Sequence, residues 1–204
     1  MACCDDDTPF DGASPRYRRA LVWVLAINIS MFLVEVVAGQ IAGSRALLAD
    51  ALDFAGDSFT YGLTLAVIGH SARWRSGAAL FKASTLVVMA GVVLAMAVVR
   101  ALDPEPPDAA LMAGVGLIAL TANMTSAGLL MRFRDGDANV RSVWLCSRND
   151  AINNGAVIAA AGLVAWTDSG WPDIAVAAAM AGLFLSSAVG IFRQAFREWR
   201  FSGT

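Results

Sequence analysis

One histidine, one lysine and three cysteines are all that 204 residues offer of those three chemistries. With His70 as the sole imidazole, no Ser/His/Asp set can be assembled, and no cofactor motif appears, so an enzyme is not expected. The cysteines are odd in number, and Cys3 and Cys4 are adjacent, which is not a disulfide framework. Charged residues make up only 16%, well below a soluble domain. The net charge of −2 gives no electrostatic footprint for nucleic acid. The first seventeen residues are acidic and hold no apolar core before a cleavage site. They read as neither a secretory signal nor a lipidation site.

What fills the chain instead is apolar: 57% of the residues are hydrophobic. Six segments, near 19–43, 46–69, 77–101, 109–131, 142–166 and 173–192, are each long enough to cross a hydrocarbon core of roughly 30 Å as a helix. The breaks carry turn residues, among them the proline cluster of "DPEPPD" at 103–108, which forbids continuous helix. Abundant Ala and Gly suit close helix approach in lipid. Orientation follows from the basic residues. Arg16, Arg18 and Arg19, then Arg73, Arg75 and Lys82, then Arg132, Arg134 and Arg141, then Arg193, Arg197 and Arg200 fall on one side. Arg45 and Arg100 fall on the other. The expected fold is therefore an all-α membrane protein of six transmembrane helices with both termini cytoplasmic. Residues 1–17 form a flexible acidic tail, 18–204 form the transmembrane domain, and no soluble C-terminal domain is expected. Arginine in place of lysine points to GC-rich coding and a bacterial inner membrane.

Ionisable residues within such segments cost roughly 2.5–3.5 kcal/mol each on insertion scales, which makes them functional suspects. Segment one holds Glu35, segment two holds Asp50, Asp53 and Asp57, and segment five holds Cys146, Arg148 and Asp150. The amides Asn28, Asn123, Asn153 and Asn154 add to this set. Asp53 and Asp57, four apart, share one helix face. Two stacked carboxylates in a low dielectric require a shared proton, a basic partner or a divalent cation. Asp50 reads either as lining an entry path or as capping and hydrating the helix start. Cys146 and Asp150 repeat the four-residue spacing, while Arg148 points away from both. Two ligands from each helix would suit tetrahedral zinc or a similar ion. Arg148 reads either as a counter-charge for Glu35 or Asp50, or as snorkelling to the cytoplasmic interface. His70 reads as an interfacial residue. Cys3 and Cys4, beside three aspartates, read either as a collector of soft metal or as a tail without a role.

At this point the sequence resembles the cation diffusion facilitators. The run "NISMFLVEVVAGQIAGSRALLADALDFAGD", Asn28 to Asp57, is similar to that family's first two helices, down to the "S-x-A-L-L-A-D-A" stretch and the (H/D)-x-x-x-D pair. Asn123 in "TAN" matches a helix-four asparagine. "NVRSVWLCSRND" keeps Asn139, Arg141 and Asp150 of the helix-five motif. The resemblance implies a proton-coupled exporter of divalent metal, usually zinc, working by alternating access within a homodimer, here one held by its membrane helices. The implied ligands are Asp53, Asp57, Cys146 and Asp150, with Asp50, Glu35, Arg148, Asn123, Cys3 and Cys4 as accessory candidates. The metal is cargo, and no permanently bound cofactor is implied. Cys146 stands where the family usually has histidine, and "WPD" at 171–173 reverses the order of a common family pattern. A thiolate favours zinc, cadmium or another soft ion, with cobalt and iron as further cargo candidates. Two other readings stand beside the exporter: a non-transporting metal sensor or partner subunit, and a transporter of another cation or a protonated solute.

Overall fold

The computed structural model describes residues 14–67, 72–133 and 138–201. The tail with Cys3 and Cys4, and His70, lie outside the described residues. Six helices follow one another: α1 (Pro15–Ala42), α2 (Arg45–Val67), α3 (Ala72–Leu102), α4 (Ala109–Leu130), α5 (Ala138–Thr167) and α6 (Trp171–Phe201), with a single 3₁₀ turn, Met131–Phe133, after α4. The all-α expectation holds. Ala72–Gly77, read from sequence as part of a break, is helical and opens α3. Likewise α6 runs on to Phe201, nine residues past the expected end. In both places hydropathy falls before the helix does, because Arg, Gln and Glu are good helix formers once outside lipid.

Local chemistry sets the helix ends. Ser14 caps α1 by accepting the Tyr17 N–H at 3.2 Å, with Pro15 in the first turn. The same helix stops at Gly43, whose φ of +66° permits the left-handed turn that sends the Gly43 N–H to the Gln40 carbonyl and the Ser44 N–H to that of Gly39. Asp108 caps α4 by accepting the Leu111 N–H at 2.9 Å.

Among the described residues, α1, α3, α4 and α6 contain spans long and apolar enough to cross a membrane. In α2 the reason for falling short is plain: Asp50, Asp53 and Asp57 sit in every long window of Arg45–Val67. The helices least suited to lipid are thus those that bring the ionisable side chains. Packing compensates for this. The closest pairings are α4 with α5, α3 with α6 and α1 with α2, and α1 also lies along α4. Apolar side chains such as Leu33 and Ile41 of α1 point outward, whereas Glu35 of the same helix is 0% exposed.

The core has three layers. The largest joins Ala42, Leu47, Val93, Met112, Val157 and Phe184 near the end where the α1–α2, α3–α4 and α5–α6 connections meet. A second, at the opposite end, packs Tyr17, Leu21, Tyr61 and Leu130, with Phe133 edge-on to Tyr17 at 5.2 Å. Between them lie Met31, Phe54 and Ala119. At the first end, the Asp108 N–H bonds the Ala42 carbonyl at 2.9 Å and the Gly170 N–H bonds that of Pro104 at 3.3 Å. The arginine bias assigns this end to the outside.

Gly170 cannot carry a side chain there. A Cβ would stand 2.5 Å from the Glu105 carbonyl oxygen and 2.8 Å from that of Pro104, both backbone atoms. Gly182 of α6 has open space at the equivalent position. Gly170→Ala is expected to destabilise the protein by about 1–3 kcal/mol, as overpacking does. Gly182→Ala should leave stability unchanged or slightly raised. Thermal unfolding of the two variants in detergent checks this, and equal midpoints would contradict the packing described.

Candidate metal centre

The stripe Asp50, Asp53, Asp57 and Tyr61 runs down one side of α2 at helical spacings of three, four and four. A narrow void lies against it, lined by Asn28 of α1, Asp50, Asp53, Phe54 and Asp57 of α2, Asn123 of α4 and Asp150 of α5. Four helices thus bring four carboxyl groups and two amides to one internal space. None of that space is wide enough for a free water molecule, so an ion reaching it must shed its hydration or the helices must part.

Of the four ligands expected from sequence, Asp53, Asp57 and Asp150 share this void. The fourth, Cys146, lies on α5 one turn before Asp150, but its side chain lies outside the described ones, as does that of Arg148. Among the described residues, no three His, Cys, Asp or Glu side chains are gathered tightly enough to grip one ion. The carboxylates are convergent but not closed on a point.

Asp57 is buried, and its Oδ2 accepts a short hydrogen bond from the Tyr61 hydroxyl, which in turn lies 3.3 Å from the Ser147 hydroxyl of α5. Tyr61 and Ser147 are 0% and 1% exposed. This chain links α2 to α5 beside the expected ligands, and sequence reading missed it. The signal was present for Tyr61, four residues after Asp57 on the same face. Ser147 had none, because only the docking of α5 on α2 brings it close. The amides are held by their own helices: Asn28 donates to the Val24 carbonyl at 2.8 Å and Asn154 to that of Asp150 at 3.0 Å. Asn28 therefore turns its N–H groups back to α1 while lining the void.

At the edge of the void, Glu35 of α1 and Asp50 of α2 face each other, 0% and 1% exposed. None of their four oxygens accepts a bond from a described donor. Two carboxylates can bond each other only through a proton, so the pair is a place for a shared proton or for a cation. Asp50 does not cap α2, since it lies five residues past the first residue of that helix. The capping reading of Asp50 is excluded, and its place in the lining of the void fits the path reading.

Comparison with known proteins adds a second line of observation. Residues 21–198 match the family model described as the cation efflux transmembrane domain. The chain is 31% identical over 166 residues to the zinc transporter ZitB of Escherichia coli K12, covering 75% of this chain and 52% of that protein. It is 28% identical over 171 residues to the metal cation efflux system protein CzcD of Cupriavidus metallidurans, covering 78% and 54%. ZitB of Pectobacterium atrosepticum is 25% identical over 193 residues, covering 88% and 60%. The chain spans about half the length of the curated relatives it matches.

Tyr61→Phe tests the bond to Asp57. It keeps the ring in its layer and removes the only change-bearing atom, the hydroxyl. A buried carboxylate that loses a donor costs about 1–3 kcal/mol. The unfolding midpoint of metal-free protein in detergent should fall accordingly, and an unchanged midpoint would show the bond to be dispensable.

Proposed function

The chain belongs to the cation efflux transmembrane-domain family, and from that premise we propose that it exports a divalent metal cation, zinc foremost, across a bacterial inner membrane in exchange for protons. The observation that carries the reading is the convergence of Asp53 and Asp57 from α2 with Asp150 from α5 on one buried void. Three carboxylates in a membrane interior repel one another strongly in a low dielectric. A dication offsets that repulsion, and protons offset it when the metal leaves. The names of the relatives, a zinc transporter and a metal cation efflux protein, point the same way.

In this reading Asp53, Asp57, Cys146 and Asp150 are the ligands. Metal meets them deprotonated, so binding releases protons and protonation expels metal. The Tyr61 hydroxyl holds one oxygen of Asp57 and so fixes how that carboxylate faces the void. The Glu35–Asp50 pair supplies further carboxyl groups beside the same space. Two protons taken up by these carboxyl groups as the dication leaves, and released as it binds, would keep the charge of the bundle constant through the cycle. Cys146 as thiolate makes the site softer than one built on imidazole. Two copies, paired through their lipid-facing helices, would form the working unit.

Proteoliposomes loaded with a zinc indicator give the test. Zinc uptake should follow an imposed pH gradient and stop when the gradient collapses. Asp57→Asn and Asp53→Asn should each reduce it by at least about tenfold, or roughly 1.4 kcal/mol. Equilibrium zinc affinity should weaken as pH falls, because protons and metal compete for the same oxygens and sulfur. Cys146→His should shift preference away from cadmium relative to zinc, whereas unchanged selectivity would remove the thiolate from the ligand set. Zinc that binds tightly without crossing the membrane would favour a sensor over an exporter.

A further inference from the structure

The N-terminus of α2 has an unusual partner. Its first residue is Arg45, its first turn contains no acidic residue, and so its own sequence offers nothing negative to the positive end of the helix dipole. The negative charge comes from α6 instead. Asp173, in the first turn of α6 and 1% exposed, accepts three hydrogen bonds. The Ser44 hydroxyl donates to Oδ1 at 2.6 Å, the Arg45 N–H to Oδ2 at 2.6 Å and the Ala46 N–H to Oδ1 at 3.0 Å. Ser44 Oγ in turn accepts the Leu47 N–H at 3.0 Å. The orphan donors of the first turn of α2 are thus satisfied by one carboxylate from a residue 127 to 129 positions away, with Ser44 completing the set.

A cap made within α2 would serve the helix equally well. An aspartate at position 44 would reach the Ala46 and Leu47 N–H groups. What the local cap lacks is the tie: α2 packs chiefly on α1, α6 packs chiefly on α3, and Asp173 joins the two helix pairs at the outer end. The α6 end of the tie is itself fixed, through Gly170 seated on the Pro104 and Glu105 carbonyls. From Arg45, at 1.5 Å per residue, Asp53 lies about 12 Å and Asp57 about 18 Å further along α2. A helix is stiff over that distance. Where its outer end is held, the depth and rotation of both carboxylates are held as well, and metal ligands tolerate displacements of only about 0.2 Å.

We propose that Asp173 is a positioning residue for transport: its buried carboxylate ties α2 to α6 and thereby sets where α2 presents Asp53 and Asp57. This rests on the reading of those two aspartates as transport ligands. Asp173 touches no metal; it acts through the helix that does.

The test separates a tie from a cap. Asp173→Ala removes both functions, and Asp173→Ala/Ser44→Asp returns the cap without the tie. Each is measured for thermal unfolding and for zinc uptake in proteoliposomes, beside wild type and Asp57→Asn. Asp173→Ala should lower the unfolding midpoint and slow uptake at least tenfold. The double variant should regain the midpoint and leave uptake slow. Asp173→Asn, which keeps the shape and one acceptor oxygen, should fold and raise the half-saturating zinc concentration at least fivefold. Recovery of both stability and uptake in the double variant overturns the proposal and leaves Asp173 a cap. So does wild-type uptake in Asp173→Ala or Asp173→Asn, and so does failure of all three variants to fold, which makes it a folding residue. Should Asp57→Asn transport normally, the ligand reading itself fails, whatever Asp173 does.

Discussion

A carboxylate inside a membrane protein must be answered by a proton, a donor or a cation, and the arrangement of this bundle follows from that requirement. Each buried acid is answered differently. Asp173 takes the N-terminal N–H groups of α2. Asp57 takes the Tyr61 hydroxyl. Glu35 and Asp50 face each other without any described donor. Asp53, Asp57 and Asp150 line the central void together. At the helix end the partners are backbone N–H groups, and nearer the centre they are side chains. Structural acids and working acids differ in that respect, since an exchangeable site needs ligands that can be left by their metal.

Helix packing makes the buried acids tolerable. The helices that carry Asp53, Asp57 and Asp150, α2 and α5, meet along the void, and α1 and α4 close the remaining sides. Small residues allow the approach: a Cβ at Gly39 would come within 3.0 Å of the Leu48 side chain, and one at Gly116 within 3.1 Å of Ile158. These contacts bring α1 onto α2 and α4 onto α5. At the outer end, hydrogen bonds between the three connections hold the bundle together. At the opposite end a cleft of about 730 Å³ opens between α1 and α4, bordered by Arg16, Arg19 and Arg132.

Much of this was legible in the chain itself. Six apolar runs and the turn residues between them fixed the number of helices, because hydropathy and helix breaking are local properties. The four-residue spacing put Asp53 and Asp57 on one face without any knowledge of what that face met. The limits were legible too in hindsight: helix ends in α3 and α6 ran past the point where hydropathy fell, since helix formation and lipid burial are separate preferences.

What the sequence determined alone is therefore which residues are costly in lipid and how they are spaced along each helix. Covalent order and helical periodicity fix both. Which acid meets which partner was decided only by tertiary structure. Asp173 stood out only in the reversed order of "WPD" and is the cap of a helix 128 residues upstream. Asp50 read either as lining a path or as a cap, and lies buried against Glu35. Ser147 gave no signal and sits beside Tyr61. The reason is physical: a charge in a low dielectric is governed by its nearest neighbours in space, and in a helical bundle those neighbours come from other helices.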